Sequence, residues 1–115
     1  KEAKAKALED LAAALFSVFR RVAPATLPVL HRTADSGPRV QDLAGVFQSA
    51  RRAVEQHLIA EVEANRLRVA APAAAAALLV HALHHAALFE AVAGPSPDTS
   101  EGSARQMARC ISGFS

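Results

Sequence analysis

The sequence predicts an all-α fold, and three observations support this prediction. Alanine, the strongest intrinsic helix former, makes up roughly a quarter of the chain. Apolar residues recur every three or four positions over long stretches, which is the spacing of one helix face. No stretch has the pattern of a strand. At 115 residues, with 51% hydrophobic and 21% charged residues, we expect one globular domain spanning residues 1–115.

The first part of the chain predicts two helices of unequal length. Apolar residues step by three and four up to Val22, so a helix is expected from about residue 2 to Val22. Pro24 should end it, because the residue before a proline is pushed out of the helical region. A short second helix is predicted over residues 26–32, with Pro28 in its first turn, where a missing N–H costs nothing.

Three further helices are predicted in the rest of the chain. The third should begin at Pro38 and run to about Leu67, with one apolar and one polar face. The fourth should begin at Pro72 and end before Gly94, and the fifth should follow the loop at Pro95. Together these segments predict a five-helix bundle.

The fourth predicted helix is apolar on every side, apart from three histidines and Glu90. A helix of this kind has to be covered on every side, so it is a central helix, a membrane span or a helix shared with a second chain. A span needs about 20 apolar residues. Alanine dominates here, and the histidines lie near the middle, where polar groups are costly. We therefore expect no membrane association.

Charge and cysteine content bear on the class of protein. The formal net charge is +2 with acids and bases interleaved, and the doublets Arg20-Arg21 and Arg51-Arg52 have no flanking aromatic residues, which argues against direct nucleic-acid binding. Cys110 is the only cysteine, which suits a reducing compartment, and we expect a cytoplasmic protein. We also expect that no signal peptide opens the chain and that it is a piece of a longer protein, since it lacks an initiator methionine.

No constellation of residues predicts catalysis. The serines lie in turns or near helix ends, without a strained G-x-S-x-G elbow. Cys110 has no histidine nearby in sequence, and no glycine-rich phosphate loop is present. We therefore predict no enzyme activity, no catalytic residues and no cofactor.

The cluster His81, His84 and His85 is the sharpest feature of the sequence. His81 and His85 lie one helical turn apart, a spacing at which two imidazoles can share a transition-metal ion. A third ligand could come from His31, His57 or Glu90. No HExxH motif and no cysteine pair accompany the cluster, so no metal site is predicted. We favour partly buried histidines at a helix interface, and a role in an organic-ligand pocket stays open.

The order of elements resembles the C-terminal domain of the TetR family of transcriptional regulators, over essentially the whole chain. The most suggestive stretch is residues 61–72, EVEANRLRVAAP, followed by the alanine- and leucine-rich residues 73–85. In many family members the long helix likewise ends near a Gly/Asn-x-Leu-Arg turn, before an Ala/Leu-rich helix. The family's N-terminal helix-turn-helix domain is missing from these 115 residues, so DNA would be contacted only through that absent domain.

This resemblance implies a homodimer in which the last two helices of each chain form a four-helix interface. Small residues on one side of the fourth helix permit close approach, so we expect that side to meet the partner. The expected interface residues are Ala75, Leu79, Leu83, Ala86, Met107, Ile111 and Phe114.

The resemblance also implies a pocket between the helices for a small apolar effector, whose binding would modulate DNA binding. The expected pocket residues are Phe16, Phe19, Leu30, His31, Phe47, Val54, His57, His81, His84 and His85. Two alternatives remain open: a helical protein-interaction or adaptor module with no ligand, and a histidine-based metal-binding bundle.

Overall fold

The computed structural model describes the backbone of residues 2–31 and 37–112, and the side chains of residues 6–24, 43–97 and 99–112. These residues form four α-helices and one 3₁₀ turn, and no strand occurs among them, which confirms the all-α prediction. The helices are α1 (Glu2–His31), α2 (Gly37–Glu63), α3 (Pro72–Ala93) and α4 (Glu101–Ser112), with the 3₁₀ turn at Pro97–Thr99.

The predicted break at Pro24 is wrong, because α1 continues through it to His31. The first two predicted helices are therefore one, and the described part of the chain has four helices where five were expected. A proline inside a helix leaves the carbonyl four residues earlier, here that of Arg20, without its N–H partner. Pro24 is exposed, so water can reach this side of the helix. The packing of the opposite face outweighs the local preference.

The long helix α2 ends earlier than the predicted Leu67, at Glu63. Asn65 has a φ of 59°, in the left-handed region that asparagine tolerates better than most residues. The backbone N–H of Arg66 then donates to the carbonyl of Glu61 at 2.8 Å. The Arg66 guanidinium donates to both carboxylate oxygens of Glu61 at 2.7 and 2.8 Å. These bonds close the helix end and turn the chain towards α3.

The helices pack in a thin assembly centred on α1, which contacts α2, α3 and α4. Its fully buried Phe16 and Phe19 share the core with Leu58 of α2 and with Leu79 and Leu83 of α3. The molecule measures 47 × 29 × 18 Å. Large hydrophobic residues of α3 nevertheless remain exposed, so the chain leaves one side of α3 uncovered.

Two arginines of α4 connect it to α1. Arg109 donates to the two carboxylate oxygens of Glu9 at 3.0 and 3.2 Å. Arg105 donates to Asp10 at 2.7 Å. These contacts position α4 along the N-terminal half of α1, away from the histidine cluster of α3.

Candidate functional site

Three rings from three helices meet beside the core. The ring centroid of Phe47 on α2 lies 4.2 Å from that of His84 on α3 and 5.3 Å from that of Phe19 on α1. Phe19 also contacts His84 edge-on, at 6.0 Å. Phe19 is fully buried, whereas Phe47 and His84 are partly exposed. Phe47 and His84 therefore present ring surface at the boundary between α2 and α3.

A cleft of about 210 Å³ lies at this boundary. A cavity of about 150 Å³ can hold benzene, whereas pockets for drug-sized ligands measure about 300–1,000 Å³. The cleft therefore suits a compound with a single small ring. It is lined by Phe47, Gln48, Arg51, Ala77, Val80, His81 and His84.

The polar groups of the cleft favour a ligand with an anionic or accepting group. Arg51 supplies a permanent cation and Gln48 an amide, and no carboxylate lines the cleft in the part of the chain that the structure describes. The Nε2 atom of His84 is buried and has no hydrogen-bond partner among the described residues. Burial, with smaller effects of His81 and His85, lowers the pKa of His84. His84 is therefore neutral at physiological pH.

The structure brings together four of the predicted pocket residues. Phe47, His81 and His84 line the cleft, and Phe19 packs against two of these rings. A wider groove of about 540 Å³ between α1 and α2 also includes Phe19, but it has no histidine in its lining. Two predicted pocket residues have side chains outside the described residues: Leu30 and His31.

The remaining predicted pocket residues lie elsewhere. Phe16 and Val54 are 2% and 0% exposed in the core, and the Arg20 guanidinium lies 4.8 Å from the Phe16 ring centroid. His85 faces solvent. His57 is partly buried on α2, with an Nε2 atom that has no partner within the described residues. The described members of the predicted set therefore do not all line one cleft, because helix geometry points His84 and His85 to different sides of α3.

Sequence reasoning missed Gln48 and Arg51. Both belong to the polar side of α2, and Arg51 was treated as part of a solvated doublet. Gln48 directly follows Phe47, and Arg51 lies one helical turn after it. This spacing was the available signal, because it places both residues beside the same opening.

The expected interface residues of α3 lie on the side that faces the core. Ala75, Leu79, Leu83 and Ala86 are buried inside the single chain. Their small or compact side chains let the chain's own helices approach α3 closely. Of the expected interface residues on α4, Ile111 is also buried and Met107 is partly buried against the core, while Phe114 lies outside the described residues.

The opposite side of α3 is exposed and apolar. Leu78, Phe89 and Val92 are 56%, 53% and 73% exposed, which is high for large hydrophobic side chains. Exposed neighbours and the partly buried Leu88, at helical spacing, extend them into a row without Asp, Glu, Lys or Arg. Contiguous apolar surface of this kind marks an interaction site. This row, called the outer stripe below, comprises Ala74, Leu78, His81, His85, Leu88, Phe89 and Val92.

By length and composition, α3 could also cross a membrane. An 18-residue window of the helix has a mean hydropathy of 1.4, and 39% of that window is buried inside the chain. One helix of this kind is weak evidence, because the core helix of a soluble protein passes the same test.

Among the side chains that the structure describes, those of residues 6–24, 43–97 and 99–112, no three histidine, cysteine, aspartate or glutamate groups come together to hold an ion. Glu90, one candidate third ligand, instead accepts two hydrogen bonds from Arg20 at 2.8 and 2.7 Å, and this pairing lowers its pKa. The side chain of His31, another candidate third ligand, lies outside the described ranges. A single chain therefore presents His81 and His85 as a pair on the outer stripe.

Comparison of the chain with family models, with curated proteins and with solved structures found no match.

Proposed function

We propose that this chain is the homodimerisation and effector-binding domain of a TetR-like transcriptional regulator, and that the outer stripe of α3 joins the two copies. The observation that carries this proposal is the exposure of Leu78, Phe89 and Val92 on a helix whose other side is core. The DNA would be bound by a helix-turn-helix domain outside these 115 residues, in the cytoplasm.

The sequence of the outer stripe favours a second copy of this chain as the partner. A two-fold interface pairs a patch with itself, so a palindromic patch is self-complementary. The centre of the stripe is palindromic about the level of Leu83: Leu78 mirrors Leu88, and His81 mirrors His85. Because the stripe has no acidic or basic side chain other than histidine, two copies meet without repulsion between like charges.

The sizes of the side chains fit the same two-fold pairing. Ala77 mirrors Phe89 and Ala74 mirrors Val92 about the level of Leu83. Phe89 and Val92 of one copy would therefore face Ala77 and Ala74 of the other. Alternation of large and small residues across facing positions is what allows two helices to interdigitate at native packing density.

The cleft between α2 and α3 is the effector site in this proposal. Phe47 offers ring contact and Arg51 a cation, so the expected effector is a small single-ring compound with an acidic or accepting group. His81 belongs both to the cleft and to the outer stripe. A ligand that binds the chain more tightly in one placement of α3 than in another would therefore shift the equilibrium between monomer and dimer.

Sedimentation velocity at micromolar concentration tests the dimer. The wild type should sediment with about twice the mass of the 12.0 kDa chain. Leu78→Glu and Val92→Glu should each yield a monomer, because a buried unpaired carboxylate is costly. The control Ile59→Glu places the same charge at an exposed apolar residue of α2 and should leave the dimer intact.

Two results would reject this use of the stripe. One is a wild type that stays monomeric over the whole micromolar range. The other is a monomer that binds neutral lipid vesicles and loses this binding in Leu78→Glu, because the stripe would then face lipid.

Calorimetry with benzoate and benzyl alcohol tests the effector site. Benzoate should bind more tightly to the wild type than benzyl alcohol does, since only benzoate can pair with the Arg51 guanidinium. Arg51→Gln should weaken benzoate binding and leave benzyl alcohol unaffected. The control Arg52→Gln removes a neighbouring cation outside the cleft and should bind both as the wild type does. Failure of both probes to bind would instead favour an adaptor module with a solid core.

A further inference from the structure

His81 and His85 occupy the centre of the outer stripe. Both side chains are exposed, and their Cβ atoms lie about 5–6 Å apart because they are one turn apart on a helix. His84, by contrast, is partly buried against Phe47. Among the described residues of α3, the two exposed histidines are the metal-ligating side chains that reach the stripe.

A two-fold axis at the level of Leu83 would bring these histidines together. Leu83 itself is fully buried on the core side of α3. The axis would therefore meet α3 on its exposed side, between His81 and His85. His81 of each copy then faces His85 of the other. We propose that these four imidazoles form a transition-metal site shared by two copies of the chain, an inference that rests on the proposed homodimer.

The chemistry of the four ligands selects the ion. Four nitrogen ligands match tetrahedral Zn²⁺, which binds histidine nitrogen at about 2.0–2.1 Å. Cu²⁺ and Ni²⁺ also accept imidazole, whereas Ca²⁺ and Mg²⁺ require oxygen ligands, which the side chains of the outer stripe do not offer. The site thus takes a divalent transition-metal ion, and Zn²⁺ is the probe of choice.

The ligand count couples metal binding to dimerisation. One chain supplies two ligands, and no group of three forms within the described ranges. The dimer supplies four, so Zn²⁺ binds the dimer more tightly than the monomer. By linkage, an ion that prefers the dimer shifts the equilibrium towards it. The outer stripe would then be an assembly surface whose strength depends on zinc.

Zinc titration of the chelator-treated chain tests the site. Calorimetry should give one Zn²⁺ per two chains, and zinc should lower the dimer dissociation constant. His81→Asn and His85→Asn should each weaken zinc binding by more than the roughly 10- to 100-fold that loss of an outer-shell partner costs. His57→Asn removes a histidine of α2 outside the stripe and should bind zinc as the wild type does. Circular dichroism should verify that each variant is folded.

Val92→Glu separates a shared site from a single-chain site. This variant keeps both histidines, and its carboxylate lies two turns from His85, but it should prevent dimerisation, so its zinc affinity should fall as it does in the histidine variants. A stoichiometry of one Zn²⁺ per chain, with Val92→Glu unaffected, would overturn the shared site. A zinc-independent dimer would overturn the metal site and leave the proposed homodimer standing. A monomer at every zinc concentration would overturn the homodimer itself.

Discussion

At the scale of single residues, the half-buried imidazole of His84 has the clearest consequence for solution behaviour. Its ring contacts Phe47 and Phe19, and its Nε2 atom is buried. Burial, followed by the neighbouring His81 and His85, lowers its pKa. The native protein therefore keeps His84 neutral at a pH where the unfolded chain already binds a proton.

The stability of the protein should fall on acidification, and His84 should account for part of the fall. The unfolded histidine titrates near pH 6.5 and the folded one lower, so between these values the unfolded chain binds more protons. The free energy of unfolding therefore decreases as the pH falls from 6.5 through the folded pKa. His84→Leu should remove this contribution, measured by urea unfolding at about pH 7.5 and about pH 5.5.

A matched surface variant is the control for this measurement. Gln106→Ala, an exposed change on α4, should keep the wild-type dependence on pH. If His84→Leu kept it as well, the burial of His84 would have no part in the acid response.

The two ion pairs between α4 and α1 should differ in their value for stability. The side chain of Glu9 is 12% exposed and that of Asp10 is 52% exposed. Arg109→Ala leaves the nearly buried Glu9 carboxylate without its cation, whereas Arg105→Ala leaves an exposed carboxylate that water solvates. Arg109→Ala should therefore lower the free energy of unfolding more than Arg105→Ala, as measured by urea titration. Equal losses would show that water solvates Glu9 as well as Asp10.

At the scale of elements, α1 shows how packing overrides a local signal. Local preference predicts a break at Pro24, yet α1 spans Glu2–His31. A helix-interior proline costs about 3 kcal/mol relative to alanine. Ala23, beside the proline, is 1% exposed and Pro24 itself is exposed, so the proline ring lies on the solvent side of a helix whose other side is packed in the core.

Replacing Pro24 by alanine should therefore stabilise the protein. Restoring the backbone N–H should raise the free energy of unfolding by about 2 kcal/mol, after allowance for the greater entropy of the unfolded alanine variant. Thermal or urea unfolding measures the change. Pro95→Ala, in the exposed segment after α3, is the matched control and should change it by less than about 1 kcal/mol. A destabilised Pro24→Ala protein would contradict a continuous α1.

At the scale of the whole molecule, the packing around α3 determines which surface is free to bind. The helices α1, α2 and α4 all contact α3 but cover only part of it. The uncovered part is the outer stripe, where Val92 is 73% exposed. Assembly is thus expected on the side of α3 that faces away from the core.

The proposed dimer should be nearly insensitive to simple salt. The outer stripe lacks Asp, Glu, Lys and Arg, so there are no strong charge pairs at its centre to be screened. Raising NaCl from about 0.05 to 1 M, which shortens the Debye length from above 10 Å to about 3 Å, should change the dimer dissociation constant little. Sulfate should tighten the dimer, because it strengthens apolar burial. Sedimentation equilibrium measures both, and a dimer that dissociates in NaCl would indicate an ionic interface elsewhere.

The cleft and the outer stripe could be predicted only in part from the sequence. Histidine spacing correctly placed His81 and His85 on one face of a helix, and three residues expected in one pocket, Phe19, Phe47 and His84, do contact each other. The position of Arg51 one turn after Phe47 indicated a shared side of α2, but the cleft itself could not be predicted, because its α3 residues are more than twenty residues away in sequence.

The sequence by itself determined that this protein is helical and where α3 begins, since alanine content, apolar spacing and Pro72 are local signals. Tertiary structure decided which side of α3 is core and whether Pro24 ends α1. The physical reason is that a helix apolar all round carries no amphipathic signal to orient it. Its orientation follows from packing, which buries Leu79 and Leu83 and leaves Leu78 outside.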